Sequence, residues 1–221
     1  VQTDLHKLRM DYDADVDIDA FWEAYELRRT KEANIKIAVE FDEYFLSATG
    51  TTAQKIAALI QDHRERERSR IMAKIIEKND LRSDLKIKLS GKWTKTAQSK
   101  LETSERVLTK AQEDLARLER RGVGEVQIFK NHYAPCLIQD RGKMLVIPLR
   151  YQLRPEGSKS EFPDNVNAFN ARMDALKERT NWRRLFMHRH AAVVIRSFLE
   201  WVPSPDNPAK PKEIQFLPSA K

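Results

Sequence analysis

The residues best suited to chemistry lie in the second half of the chain. Arg150 and Arg154 flank Tyr151-Gln152-Leu153 between Pro148 and Pro155. Guanidinium forks at that spacing suit DNA phosphates, and they equally suit the flank of an edge strand. Arg179, Arg183 and Arg184 surround Trp182 and precede Phe186. Basic groups interleaved with aromatic rings fit single-stranded DNA, where bases stack and phosphates meet cations. Core packing of Trp182 is the equal alternative. Glu200, taken alone, reads as a strand-end carboxylate facing solvent, and Asn170 as a turn residue. His188 and His190 share one face of an extended segment, but no third ligand accompanies them, so no metal site is expected. Cys136 is the single cysteine. It follows Tyr133-Ala-Pro135 in a strand-like context and is expected to be buried, with no disulfide to form.

These side chains need elements to hold them. Residues 1–49 read as helices. Asp17-Ile-Asp19 can cap a helix beginning near Ala20, with Phe21, Trp22, Tyr25 and Leu27 toward a core. Ile35, Ile37 and Val39 alternate like a strand, whereas Phe41, Tyr44, Phe45 and Leu46 suit a helix. Thr49-Gly-Thr-Thr52 can start a new helix. From Ala53 to Arg121 there is no proline and one glycine, Gly91. Leu101, Leu108 and Leu115 fall seven apart, with Ser104, Ala111 and Leu118 at the matching d positions. The pattern predicts an antiparallel helical hairpin with its turn within 79–94. After Gly122-Val-Gly124 the pattern turns to strands. Val126 to Ile138 and Met144 to Ile147, joined by Asp140-Arg-Gly-Lys143, read as a β-hairpin. Residues 156–168 read as a loop and Ala171–Leu185 as a short, broken helix. Ala191–Trp201 reads as an apolar strand, and a last strand starts at Ile214.

Composition narrows the classes. The chain has 221 residues, 41% hydrophobic and 33% charged, with nine Phe, four Trp and five Tyr. That is enough apolar material for a core and argues against wholesale disorder. No apolar run approaches the roughly 18 residues that span a bilayer, and no apolar leader opens the chain. A reducing, cytoplasmic setting is the expectation, nucleoid-associated in a bacterium. The net charge of +7 is uneven. Residues 54–121 carry 18 basic and 11 acidic residues, and residues 141–196 carry 12 and five. In the first region the signs alternate, as in Arg64-Glu-Arg-Glu-Arg68, which dilutes any single-sign face. In the second, arginines sit among aromatics, which points to a polyanionic partner.

Four pieces then recur together: Tyr133-Ala-Pro135, the stretch Pro148 to Pro155, Asn170-Ala-Arg172, and Phe198-Leu-Glu-Trp201. In this order they resemble the SRAP family, named for an SOS-response-associated peptidase, over roughly 126–217. Members of that family seal abasic sites in single-stranded DNA by a covalent DNA–protein crosslink. The resemblance implies an α+β protein with an antiparallel, barrel-like β core flanked by helices. Residues 1–52 and 122–221 would form that core, with 53–121 inserted as a helical hairpin. It implies that Glu200 shuttles protons, that Asn170 holds the adduct or the terminal amine, and that Arg172 contacts a backbone phosphate. Arg150, Arg154, Trp182, Arg183 and Arg184 complete the expected DNA-binding set.

The family nucleophile is an N-terminal cysteine exposed by removal of the initiator methionine. Its amine and thiol close a thiazolidine on the abasic aldehyde, and the same cysteine performs the self-processing. This chain begins with Val1, and Cys136 is not expected to take over that role. A family His-Asp-Arg type motif after the Glu strand is also missing, so both ends are expected to be incomplete. No cofactor and no membrane are expected. The partners expected are abasic single-stranded DNA and a protein reached through the insertion. The rival reading is a non-catalytic single-stranded DNA-binding or helical scaffold protein on the same fold.

Overall fold

The computed structural model describes residues 4–30, 35–119, 127–153, 173–178, 180–186, 188–207 and 210–217. The chain forms two compact units, residues 1–56 with 123–221, and residues 57–122.

The first unit begins with α1 (Leu5–Tyr12), capped by the Asp4 carboxylate, which accepts the Lys7 amide at 3.1 Å. Asp13 ends α1 in the left-handed conformation, and β1 (Ala14–Val16) follows. Asp17 Oδ1 accepts the Ala20 amide at 2.9 Å and starts α2 (Ile18–Thr30). The helical period places Phe21, Tyr25 and Arg28 on one face, and all three are buried. Leu27 lies off that stripe and is exposed, against the expectation that it faces the core. β2 (Lys36–Ile37) leads into α3 (Val39–Ser47), whose Phe41 and Phe45 are buried. Phe45 meets Phe21, Tyr25 and Tyr44 at ring-centroid distances of 5.1, 5.5 and 5.1 Å.

Within this apolar cluster sits a buried polar group. Tyr25 Oη donates to Asp42 Oδ1 at 2.9 Å, and Arg28 Nη2 stands 3.9 Å from the same oxygen. The Arg28 guanidinium also lies over the Tyr25 ring, 4.7 Å from its centroid.

β3 (His132–Asp140) and β4 (Lys143–Arg150) form an antiparallel hairpin. Its two turn residues, Arg141 and Gly142, both have positive φ, 48° and 82°, which suits the right-handed twist of the strands. β1 pairs parallel with β4, and β2 parallel with β3, giving a curled four-stranded sheet of order β1-β4-β3-β2. The class is α+β, and the outer pairs are parallel because β1 and β2 arrive through helices rather than tight turns.

Pro135 and Pro148 face each other across β3 and β4. Leu137 turns its backbone groups outward, to Ala192 at 2.8 and 2.9 Å, and the Val146 carbonyl accepts the Asp17 amide at 3.0 Å. Strand alternation turns both prolines outward too, so no hydrogen bond between β3 and β4 is lost.

After a 3-10 turn (Met173–Ala175) and α6 (Thr180–Arg183), β5 (Phe198–Val202) and β6 (Lys212–Phe216) form a separate antiparallel ribbon. The expected strand over Ala191–Trp201 is thus shorter. Its first part makes a single bridge, Ala192 to Leu137, and the ladder begins only where β6 supplies a partner.

α4 (Thr51–Gly91) is one continuous helix, and α5 (Lys95–Glu119) returns antiparallel to it. In the second unit, Ser104 Oγ donates to the Lys78 carbonyl at 3.1 Å, and Arg68 meets Glu119 at 3.5 Å. Leu85, Ser104, Leu108 and Ala111 are buried along the seam. The turn occupies residues 92–94, inside the expected window. No helix among the described residues is long and apolar enough to cross a membrane.

Candidate active site

The described part of the first unit contains a cavity of about 1090 Å³. One wall is β3 and β4 with the residue that follows, through Ala134, Cys136, Leu149, Arg150 and Tyr151. The segment 127–130 forms another, and residues 191–201 with Glu213 and Gln215 close the rest. Each wall comes from a different stretch of sequence, so only the folded chain produces the space.

Its lining combines exposed apolar surface with charge. Phe129, Val193, Ile195, Phe198 and Trp201 are all exposed. Aromatic and aliphatic side chains left in water around a concavity mark a place for a ligand. Lys130, Arg150 and Arg196 bring positive charge to the lining, while Glu200 and Glu213 bring negative charge. Phe198 stacks on Phe216 across the β5–β6 pair, with centroids 4.7 Å apart and planes 8° from parallel. That cross-strand stack stiffens the ribbon carrying Glu200.

Arg150 and Tyr151 are held by one residue. Asn131 has a φ of 72°, a left-handed conformation that asparagine tolerates well. Its Oδ1 accepts Arg150 Nη2 at 2.9 Å, and its amide donates to the Tyr151 carbonyl at 3.2 Å. The Tyr151 amide in turn donates to the His132 carbonyl at 2.8 Å. The turn entering β3 is thereby hooked to the residues leaving β4.

Electrostatics link Tyr151 to Glu200. Burial pushes the Tyr151 phenol above its ordinary pKa, and the negative charge of Glu200 adds to that rise. Both effects favour the protonated phenol, so Tyr151 keeps its proton to higher pH than a free tyrosine would. Cys136 also lines the space, but burial raises its thiol from 9.0 to about 11, an effect partly opposed by a hydrogen bond with the Leu149 backbone. A thiol with that pKa is a poor nucleophile at neutral pH.

Among the residues singled out from sequence, Glu200 and Arg150 line this cavity. Trp182 is half-buried on α6, with Arg183 and Arg184 exposed beside it, and none of the three is in the lining. Asn170, Arg172 and Arg154 lie outside the described residues. No cluster of three or more His, Cys, Asp or Glu side chains suited to a metal ion occurs among the described residues. Tyr151 and Arg196 line the cavity although sequence reasoning gave neither a role, and Trp201 lines it although it entered only as part of the Phe198-Leu-Glu-Trp201 motif. Asn131, which was not singled out, holds the lining residue Arg150. Tyr151 had a signal, since it directly follows Arg150 in the arginine-rich stretch. Asn131 had only its position before a strand.

A family model described as SOS response associated peptidase (SRAP) matches residues 89–217, more than half of the chain. That stretch contains every residue lining the cavity. No curated protein and no solved structure matches the chain.

Proposed function

The chain belongs to the SOS response associated peptidase (SRAP) family, and on that premise we propose that it recognises abasic sites in single-stranded DNA. In this reading it captures them covalently through an N-terminal cysteine, with self-processing by that cysteine as the associated peptidase activity. The 221 residues contain no such cysteine, and buried Cys136 does not replace it. The observation that supports the reading is the cavity itself. Glu200, Tyr151 and Arg150 share a lining with exposed aromatic rings, all within the matched stretch.

The chemistry assigned to each group follows from its type. An abasic site opens to an aldehyde, and imine formation requires proton transfers at nitrogen and oxygen. Glu200 is the acid–base group for those transfers. Asn170 offers a donor and an acceptor in one amide and holds the adduct. Arg172 and Arg150 pair with backbone phosphates through guanidinium forks. The exposed rings of Phe129 and Trp201 stack, in this reading, on bases flanking the lesion. Arg154, Trp182, Arg183 and Arg184 extend the track for the strand.

Two measurements test this. Fluorescence anisotropy with a single strand carrying a tetrahydrofuran abasic analogue is expected to show tighter binding than with the undamaged strand. Arg150→Ala and Arg172→Ala are each expected to weaken binding and to flatten the log–log salt dependence by about 0.7 per lost phosphate contact. Protein bearing its N-terminal cysteine is expected to form a denaturation-resistant adduct with an abasic oligonucleotide, slowed in Glu200→Gln. Equal affinity for damaged and undamaged strands, with both arginine variants unchanged, would remove the cavity from DNA recognition.

A further inference from the structure

The tip of the helical hairpin differs from its shaft. Between Asp84 and Glu102 there is no acidic residue, but there are five lysines: Lys86, Lys88, Lys92, Lys95 and Lys100. Along the shaft, basic groups meet acidic neighbours, as in Arg66–Asp62, Arg70–Glu67, Arg68–Glu119 and Arg117–Asp114. At the tip only Lys86 has a partner among the described residues, Glu105 at 3.9 Å. Lys88, Lys92, Lys95 and Lys100 are exposed.

An aromatic ring sits among them. Trp93 lies in the turn between α4 and α5 and is 64% exposed. The turn is already built without it. Thr94 Oγ1 accepts the Ala97 amide at 3.2 Å, and the Thr94 carbonyl accepts the Gln98 amide at 3.0 Å. Helix stability accounts for only part of this charge. Lys88 and Lys92 suit the negative end of α4, but Lys95 opens α5 at its positive end, where a cation is disfavoured. No acidic residue occupies the first turn of α5 to offset it.

We propose that this tip is a binding site for single-stranded nucleic acid, with Trp93 stacking a base and Lys88, Lys92 and Lys95 pairing with phosphates. Uncompensated ammonium groups attract the backbone through counterion release, which is sequence-independent. An exposed indole supplies the stacking platform that such sites use. The site is additional to the cavity and needs no abasic lesion, so it binds undamaged strands.

The test uses the 221-residue chain and an undamaged, unstructured oligothymidylate, read by anisotropy across a salt series. Combined Lys88→Gln, Lys92→Gln and Lys95→Gln is expected to weaken binding about tenfold near physiological salt and to flatten the log–log slope by about two. Trp93→Ala is expected to weaken it about fivefold or more, with Trp93→Phe largely restoring it. The control is Arg66→Gln, Arg68→Gln and Arg70→Gln, which removes the same charge from the paired shaft and is expected to have a smaller effect. Circular dichroism checks that each variant stays helical. Equal losses in tip and shaft variants would show a response to net charge alone and overturn the site. Unchanged binding in the lysine and Trp93 variants would also overturn it. So would binding to phosphatidylserine vesicles that depends on the tip lysines while oligothymidylate binding does not.

Discussion

The same two residue types form an ion pair in each unit, and their surroundings make the two pairs different objects. On the helical arm, Arg66 Nη2 lies 2.8 Å from Asp62 Oδ2, with the side chains 41% and 56% exposed. In the sheet-bearing unit, Arg28 Nη2 is 3.9 Å from Asp42 Oδ1, with the side chains 4% and 1% exposed. Removing one partner costs less at the closer pair. Water and salt screen it, and ordering two long side chains offsets most of the attraction. The longer pair sits among Phe41, Phe45 and Tyr25, where losing one partner strands a charge in a low dielectric. Distance alone therefore says little, and burial sets the scale.

The largest expected effect breaks the buried pair. Asp42→Ala removes the acceptor of Tyr25 Oη and the counter-charge of Arg28. It is expected to cost about 3–5 kcal/mol in urea unfolding. The double variant Arg28→Met with Asp42→Leu is expected to recover most of that loss, because no charge remains to be stranded. A cost for Asp42→Ala as small as that of a surface variant would collapse the contrast.

Burial acts on a lone group next. The Cys136 thiol is raised from 9.0 to about 11 in the folded chain. A raised acid pKa means that the folded state keeps its proton where the unfolded state loses it. Stability is therefore unaffected by this group below pH 9 and falls as pH rises from 9 toward 11. The loss amounts to about 2–3 kcal/mol over that window. Unfolding midpoints at pH 8 and at pH 11, for the native chain and Cys136→Ser, isolate it. The serine variant is expected to show a correspondingly shallower decline. An identical pH response would mean that the thiol ionises freely in the folded state.

The exposed pair comes next in size. Asp62→Ala is expected to change stability by at most about 0.5 kcal/mol, and by less in molar salt. A loss of several kcal/mol would show that the helical arm depends on its surface charges. The gentlest test lies in the cavity. Glu200→Gln removes the negative charge that helps raise the Tyr151 phenol. The Tyr151 resonance is therefore expected to titrate at lower pH in that variant, followed by NMR. No change would mean that the two groups do not sense each other.

Legibility followed the range of the interactions. The helical hairpin could be read from Leu101, Leu108 and Leu115 and from the absence of proline, because helix pairing repeats within a few turns. The β3–β4 hairpin could be read from Asp140-Arg-Gly-Lys143, because a two-residue turn is local chemistry. β2 was legible in part, because Ile35, Ile37 and Val39 alternate, but β1 was not. Its three residues carry no pattern and fall in a stretch that reads as helical, and they form a strand only because β4 lies beside them. Leu27 was misplaced because the choice between it and Arg28 depends on Asp42, which arrives from α3.

The sequence by itself determined the α+β class, the helical hairpin, the single cysteine without a disulfide, and Arg150 and Glu200 as groups with chemical potential. Periods of 3.6 and two, turn residues and side-chain type are all written locally. Only the tertiary structure decided that Arg150 and Glu200 line one cavity, that Tyr151 feels the Glu200 charge, and that Asn131 pins Arg150. Those relations join residues 19 to 50 positions apart, and long-range packing sets them rather than any pattern within a turn or a strand.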